Sequence, residues 1–281
     1  MANQIFTATG CARCKITKSY MKEHNISYDE FDIKTDGKDA FAKFYRENRN
    51  QVYRDNDGVE FPVFVDGNVI QQGVSPIIGY LCAKDKLNGF ISRSQLHGEW
   101  IDGFDISGGN PVGVDELIAV LSHLQKNGLK IQLTGNGKNA LVMEKLLTNK
   151  IGDRFIMKVL GPEDCYSRIL GEKISSEELT RSISLATQFP ECHFITEIRP
   201  VVRQDSSVSF LRPEEVGNTA KMIEVATGSK NNSYLLAPCS AEIFADDLFR
   251  GLESLPETAM FKYRTAARRF QVMTEIQKKK E

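Results

Sequence analysis

Two cysteines, one turn apart at the mouth of a helix, constrain this chain more than any other feature. The tetrad Cys11-Ala12-Arg13-Cys14 follows a β-prone run, Gln4-Ile5-Phe6-Thr7. It opens a helical pattern over 15–23, with Ile16, Tyr20 and Met21 at helical spacing. A strand, a turn and a helix whose first turn holds a cysteine pair is the geometry of a dithiol redox site. Cys11 stands where the orphan N–H groups of the helix point, at the positive end of its dipole. That field favours thiolate over thiol. Arg13 and Lys15 add positive charge. Cys14, further in, is placed to attack a mixed disulfide on Cys11 and release the substrate reduced. A metal site needs a second pair or histidines at ligand spacing, and none follows. A structural pair of core cysteines is the other reading.

The residues beyond sharpen the pattern. The run 26–33 alternates as a second strand, and 39–48 reads as a helix. Phe61-Pro62-Val63-Phe64-Val65 reads as a strand entering a turn at Asp66-Gly67, Val69-Ile70 as its partner, and 76–81 as a closing helix. With Cys11-x-x-Cys14 at the first helix start and Pro62 opening the third strand, residues 1–83 resemble the glutaredoxin family of thioredoxin-like folds. The resemblance implies that Pro62 is cis and faces the dithiol, and it places Phe61 and Gly73 among the substrate-binding residues. A proline's missing N–H fits a strand start. The chain also departs from the family. Ala8 and Thr9 stand where the family has lysine and proline. Gln72-Gly73 and Ser75-Pro76 stand where it has Gly-Gly and an acidic residue. Those groups bind the carboxylates of glutathione in the family, so the departures favour a protein disulfide as substrate. A polar insert over 46–60, with a turn at Asn56-Asp57-Gly58, reads as charge facing solvent.

A chain of 281 residues is long enough for two domains. Hydrophobic residues make up 41% and charged residues 26%, which is globular composition. A formal charge of -1 provides no field for nucleic acid or anionic membrane. No apolar run reaches spanning length and no signal pattern opens the chain, so a cytoplasmic location is expected. Six cysteines, only two of them at a telling spacing, do not read as a secreted disulfide framework. Low complexity is confined to Lys278-Lys279-Lys280.

Residues 84–99 read as a polar linker and 100–281 as a second domain. Strands are expected at 102–106, 129–133, 154–159, 193–198 and 234–236. Helices are expected at 114–126, 138–147, 176–187, 213–227, 242–252 and 258–277. Leu117, Val120, Leu121 and Leu124 line one face of the first of these helices. Strict alternation predicts about five parallel strands, open or curled into a partial (βα) barrel. The fold class is therefore α/β, a thioredoxin-like domain followed by that partial barrel.

Two glycine loops, Ser107-Gly108-Gly109-Asn110-Pro111 and Thr134-Gly135-Asn136-Gly137, fall at the carboxyl ends of successive strands, where ligands bind in such folds. Lys158 and Arg199 fall near the ends of the next two. With Gly161-Pro162-Glu163, Ile169 to Gly171 and Arg199-Pro200-Val201, these marks resemble the radical S-adenosylmethionine family, in particular the activating enzymes of glycyl-radical enzymes and anaerobic ribonucleotide reductase. The resemblance implies ligand-binding roles for Gly108, Gly109, Asn110, Gly135, Asn136, Lys158 and Arg199. That family's iron–sulfur cluster needs three thiolates in a Cys-x3-Cys-x2-Cys pattern, and no such triplet occurs here. Asn110 replaces the glutamate that would bind the methionine ammonium, so that charge-assisted contact is lost. The expectation is a truncated barrel without the cluster and without S-adenosylmethionine, requiring no cofactor or metal.

Of the remaining cysteines, Cys82, Cys165 and Cys192 read as small buried residues, while Cys239 joins the glycine loops at the sheet edge. His24, His97 and His123 read as solvated, and His193 as core or edge. Arg264, Arg268 and Arg269, with Phe261 and Phe270, read as a solvated basic face or else as an anion or partner site. The leading expectation is a thiol–disulfide oxidoreductase. Cys11 attacks, Cys14 resolves, Arg13 helps to hold the thiolate and Pro62 shapes the substrate groove. The second domain positions a protein partner from a ribonucleotide reductase or glycyl-radical system. The alternatives are a redox-sensing regulatory protein whose barrel binds S-adenosylmethionine, a nucleotide or a protein tail, and a radical enzyme whose cluster is completed in an oligomer.

Overall fold

A computed structural model describes residues 3–56 and 58–278. Asp57 of the expected turn and Lys279-Lys280 of the terminal lysine run lie outside the described residues. The chain forms two compact units, residues 1–132 and 133–281.

The first unit opens with β1 (Gln4–Thr7), α1 (Ala12–Glu23), β2 (Asp29–Asp32), α2 (Lys38–Glu47), a short hairpin of β3 (Arg54–Asp55) and β4 (Gly58–Val59), then β5 (Val63–Asp66), β6 (Val69–Gln72) and α3 (Val74–Ala83). Four strands form a sheet in the order β2-β1-β5-β6. β1 runs parallel to β2 and antiparallel to β5, and β5 is antiparallel to β6. Alternation along β1 sends neighbouring side chains to opposite faces. Ile5 packs with Met21, Phe64 and Ile77 on one face. Phe6 packs with Val52 and Val63 on the other, against Phe31, Phe41 and Phe44. Helix α1 turns Cys14, Thr17, Tyr20 and Met21 inward at three- and four-residue spacing.

Residues 84–99, expected as a linker, are built into the same unit. Lys84–Leu87 form a 3-10 turn, Leu87 and Phe90 are buried, and Ile91 bridges Phe104. β7 (Leu96–His97) pairs antiparallel with β8 (Trp100–Asp105), and α4 (Val114–Lys126) follows. The sequence reads polar here because only every third or fourth side chain turns inward.

His123, expected in solvent, is 5% exposed. Its Nδ1 lies 3.3 Å from Glu23 Oε2, its Nε2 lies 3.3 Å from the Ile16 carbonyl, and its ring stands edge-on to Tyr20. His123 thus reaches from α4 to α1 rather than facing water, while α4 itself packs on α3.

The unit boundary falls inside β9 (Lys130–Gly135). The second unit continues with α5 (Ala140–Thr148), β10 (Arg154–Lys158), α6 (Glu163–Leu170), α7 (Ser176–Ala186), β11 (Glu191–Ile198), a hairpin of β12 (Pro200–Val202) and β13 (Val208–Phe210), α8 (Pro213–Thr227), β14 (Tyr234–Pro238), α9 (Met260–Ala267) and β15 (Thr274–Ile276). The five expected strands are all present and two more join them, in one sheet of order β15-β14-β11-β10-β9-β8-β7. The pairings β10–β11, β11–β14 and β14–β15 are parallel.

The two extra strands come from segments expected as linker and as helix. β7 lies in 84–99. β15 lies inside the expected helix 258–277, which instead stops at Ala267. There Gln271 is fully buried, its amide donating to Ser229 O at 2.9 Å, and Val272 N–H donates to Lys230 O. These contacts hold the chain extended as it enters β15. The expected helix 242–252 is a 3-10 turn at Ala241–Ala245. Helix α6 and the β12–β13 hairpin had no counterpart in the sequence reading.

Candidate active site

The dithiol sits at the start of α1. Cys11 is the N-cap residue, with extended backbone (φ -73°, ψ 112°), and its Sγ accepts the Cys14 N–H at 3.1 Å. The capping group is therefore a sulfur, aimed at one of the orphan donors of the first turn. Cys11 and Cys14 are joined by a disulfide, with Cα atoms 5.3 Å apart. Cys14 is 2% exposed while Cys11 is only half-buried. Of the two sulfurs, that of Cys11 is therefore the more accessible.

The Phe61–Pro62 peptide is cis, and Cys11 Sγ lies 3.8 Å from the Phe61 carbonyl oxygen. The Phe61 ring packs edge-on to Phe41. Gly73 donates its N–H to Pro62 O at 2.9 Å, which ties the strand after the hairpin to the cis-proline. With φ at 87°, Gly73 takes a conformation that side chains resist.

Arg13 is engaged by a carboxylate. Its Nη1 lies 2.7 Å from Glu60 Oε1, and the Glu60 side chain is 12% exposed. This ion pair offsets the Arg13 charge, while the helix end and the Cys14 N–H remain directed at Cys11 Sγ. Sequence reasoning missed Glu60, because no spacing rule connects residues 47 positions apart.

The turn before the dithiol is anchored from β2. Asp32 accepts the Thr9 N–H at 3.1 Å, the Thr9 hydroxyl at 2.5 Å and the Lys34 N–H at 2.9 Å. The bond from the Thr9 hydroxyl, then that from Lys34, holds the Asp32 carboxyl below its ordinary pKa. Thr9, a departure from the family pattern, thereby finds its role in the turn.

The glycine loops expected to hold a ligand are packed against protein. A Cβ on Gly109 would lie 2.2 Å from Phe90 Cγ, and one on Gly108 would lie 2.6 Å from Gly89 O. Asn110 accepts the Val112 N–H at 3.1 Å and caps a 3-10 turn at Pro111–Gly113. Glycine is needed here because the 89–90 backbone and ring lie directly on the loop.

In the second unit, Gly135 is buried and Asn136 half-buried, and the Asn136 carbonyl accepts the Tyr166 hydroxyl at 2.8 Å. Lys158 is exposed at the end of β10. Arg199 Nη1 lies 4.0 Å from Glu197, whose Oε1 accepts the Ser240 N–H. Among the described residues no three His, Cys, Asp or Glu side chains converge as a metal set.

At three of the remaining cysteines the surroundings disfavour the thiolate. Burial pushes the Cys192 thiol up to about 12. Burial, with Glu197 beside it, pushes Cys239 up to about 11. Burial and then Asp164 raise Cys165.

The sheet of β1, β2, β5 and β6 with helices α1, α2 and α3 thus makes a thioredoxin-like domain with its dithiol at the first helix start. The family model named glutaredoxin matches residues 4–70. Among solved structures, the chain is similar to the glutaredoxin-like protein NrdH-redoxin from Escherichia coli. The identity is 22%, the match covers 27% of this chain and 87% of that one, and the TM-score is 0.21. It is also similar to coproporphyrinogen III oxidase (HemN) from Escherichia coli, described as a radical SAM enzyme. There the identity is 15%, covering 61% of this chain and 41% of that one, with a TM-score of 0.41. No curated protein matches the chain. Among the described residues no helix is long and apolar enough to cross a membrane.

Proposed function

We propose that this protein is a thiol–disulfide oxidoreductase acting on a protein disulfide. The observation that carries the reading is the sulfur of Cys11 capping α1, hydrogen-bonded to the Cys14 N–H beside the cis Phe61–Pro62 peptide. In the reduced chain the Cys11 thiolate attacks one sulfur of the substrate disulfide. The substrate S–S bond breaks, a mixed disulfide forms, and the departing thiolate takes a proton from solvent. Cys14 then loses its proton and attacks Cys11 Sγ, expelling the second substrate thiol. Two electrons pass to the substrate and the chain ends as the Cys11–Cys14 disulfide. An external thiol reductant restores the dithiol.

Pro62 shapes the groove where the substrate chain lies extended, with Phe61 and Gly73 beside it. The protein works in the cytoplasm and needs no metal or organic cofactor. The rest of the chain positions the partner. A ribonucleotide reductase or glycyl-radical system is the partner class, on the strength of family resemblance alone.

Cys11→Ser is expected to abolish reduction of a model disulfide, and Cys14→Ser to accumulate a mixed disulfide visible by mass spectrometry. Full activity in both variants refutes the proposal.

A further inference from the structure

A groove of ≈ 370 Å³ opens beside the dithiol, starting at Arg13. Asp55 and Glu60 line one wall, and Arg93, Gln95 and His97 line the other. All of it belongs to the first unit, residues 1–132. The sequence left both walls without a role, one as a solvent-facing insert and the other as a linker.

Both walls are fixed. The Gln72 side chain clamps the insert, donating to Tyr53 O and Glu60 O at 2.9 Å each and accepting the Tyr53 N–H at 2.8 Å. The opposite wall is pinned to β8. Ser92 N–H donates to Gly103 O at 2.9 Å and Gln95 N–H to Asp102 Oδ1 at 2.7 Å. Gly103, at φ +90°, lets that backbone lie so close that a Cβ would meet Ser94 Cα at 2.8 Å.

Charge separates the two arginines. Arg13 is matched by Glu60, whereas Arg93 stacks on the Tyr53 ring at 3.4 Å and makes no ion pair among the described residues. A stacked guanidinium keeps its in-plane N–H donors free, in the fork that suits a carboxylate. Leu96 and His97 in the same groove form the edge strand of the seven-stranded sheet, and an extended chain can pair with such an edge.

We propose that the groove binds an acidic, extended segment of the disulfide-bearing protein substrate, with a carboxylate seated on Arg93. The inference rests on the oxidoreductase reading and extends it to the chemistry of the partner.

The test is single-turnover oxidation of the pre-reduced full chain by synthetic peptides. Each carries one disulfide with glutamate, glutamine or lysine flanks, and neutral hydroxyethyl disulfide serves as the small substrate. The glutamate peptide is expected to react roughly five-fold faster than the glutamine peptide, the scale of a partly exposed ion pair. The preference should vanish near 1 M salt, where screening acts within ~3 Å. Arg93→Gln should erase the preference and Arg93→Glu should turn it toward lysine, with neither changing the rate with hydroxyethyl disulfide. If both variants keep the wild-type preference, or if wild type shows none, the groove assignment falls while the dithiol chemistry stands. If hydroxyethyl disulfide fails to oxidise the wild-type dithiol, the oxidoreductase reading falls and takes this inference with it.

Discussion

Replacing Gly109 by alanine separates a packing role for the Gly108–Gly109 loop from a ligand-binding one. The added Cβ would lie 2.2 Å from Phe90 Cγ, with two further ring carbons within 2.4 Å. That is roughly 1.3 Å short of the ~3.5 Å at which carbon atoms rest. Phe90 is 0% exposed and its carbonyl accepts the Asp105 N–H at 2.9 Å, so the ring cannot retreat without moving its backbone. Overpacking of this kind costs about 1–3 kcal/mol. For a cooperative unit of this size that lowers Tm by roughly 3 to 10 °C. Phe90→Ala alone costs more, about 3–5 kcal/mol for a buried aromatic. It also removes the atoms that the new methyl group meets. The double variant should therefore be no less stable than Phe90→Ala, with a coupling of about 1–2 kcal/mol. Urea denaturation of the four proteins measures the cycle. Additive effects, or a Gly109→Ala variant as stable as wild type, refute the claim that Phe90 fills the loop.

The Gln72 clamp predicts that Gln72→Ala speeds hydrogen exchange at the Tyr53 amide roughly ten- to a hundred-fold, from hydrogen bonds of about 1 kcal/mol each; unchanged protection would place the restraint elsewhere. Asp32 has a lowered carboxyl pKa in the fold, so its stabilising effect is full above the unfolded value of about 3.9 and is lost as pH falls through the folded value. Amide shifts at Thr9 should accordingly titrate only below about pH 4 in wild type. In Asp32→Asn they should not titrate there at all, and a flat wild-type profile down to about pH 2 contradicts the anchor. Cys239, pushed up to about 11, should be alkylated by iodoacetamide at neutral pH more slowly than Cys11 in the reduced chain, with peptide mass spectrometry as the readout. Equal labelling would mean that Cys239 is more open than the fold allows.

What the sequence reveals is local. Cys11 and Cys14 sit where a helix begins, Phe61-Pro62 opens a strand, and the alternation of Ile5 with Phe6 sets two faces. Each of these follows from neighbours in the chain, through dipole, ring closure and pleat. Helices α4 and α8 are equally readable, since their apolar residues recur within a single element. The strand at β15 carried a weaker local signal, the alternation of Val272, Thr274 and Ile276, which the helical propensity upstream outweighed.

Tertiary structure decided whatever depends on residues distant in sequence. Glu60 finds Arg13, Phe90 settles on Gly109, Gln72 grips the insert at Tyr53 and Glu60, and His123 is buried against Ile16 and Tyr20. A glycine that admits a ligand and one that admits a neighbouring ring look the same in a sequence, because both record only the absence of a Cβ. Which body occupies that space is set by packing between segments, and packing has no one-dimensional signature. The dithiol could be read from its own helix, whereas the groove beside it exists only once Asp55, Val59 and Glu60 have come together with Arg93, Gln95 and His97.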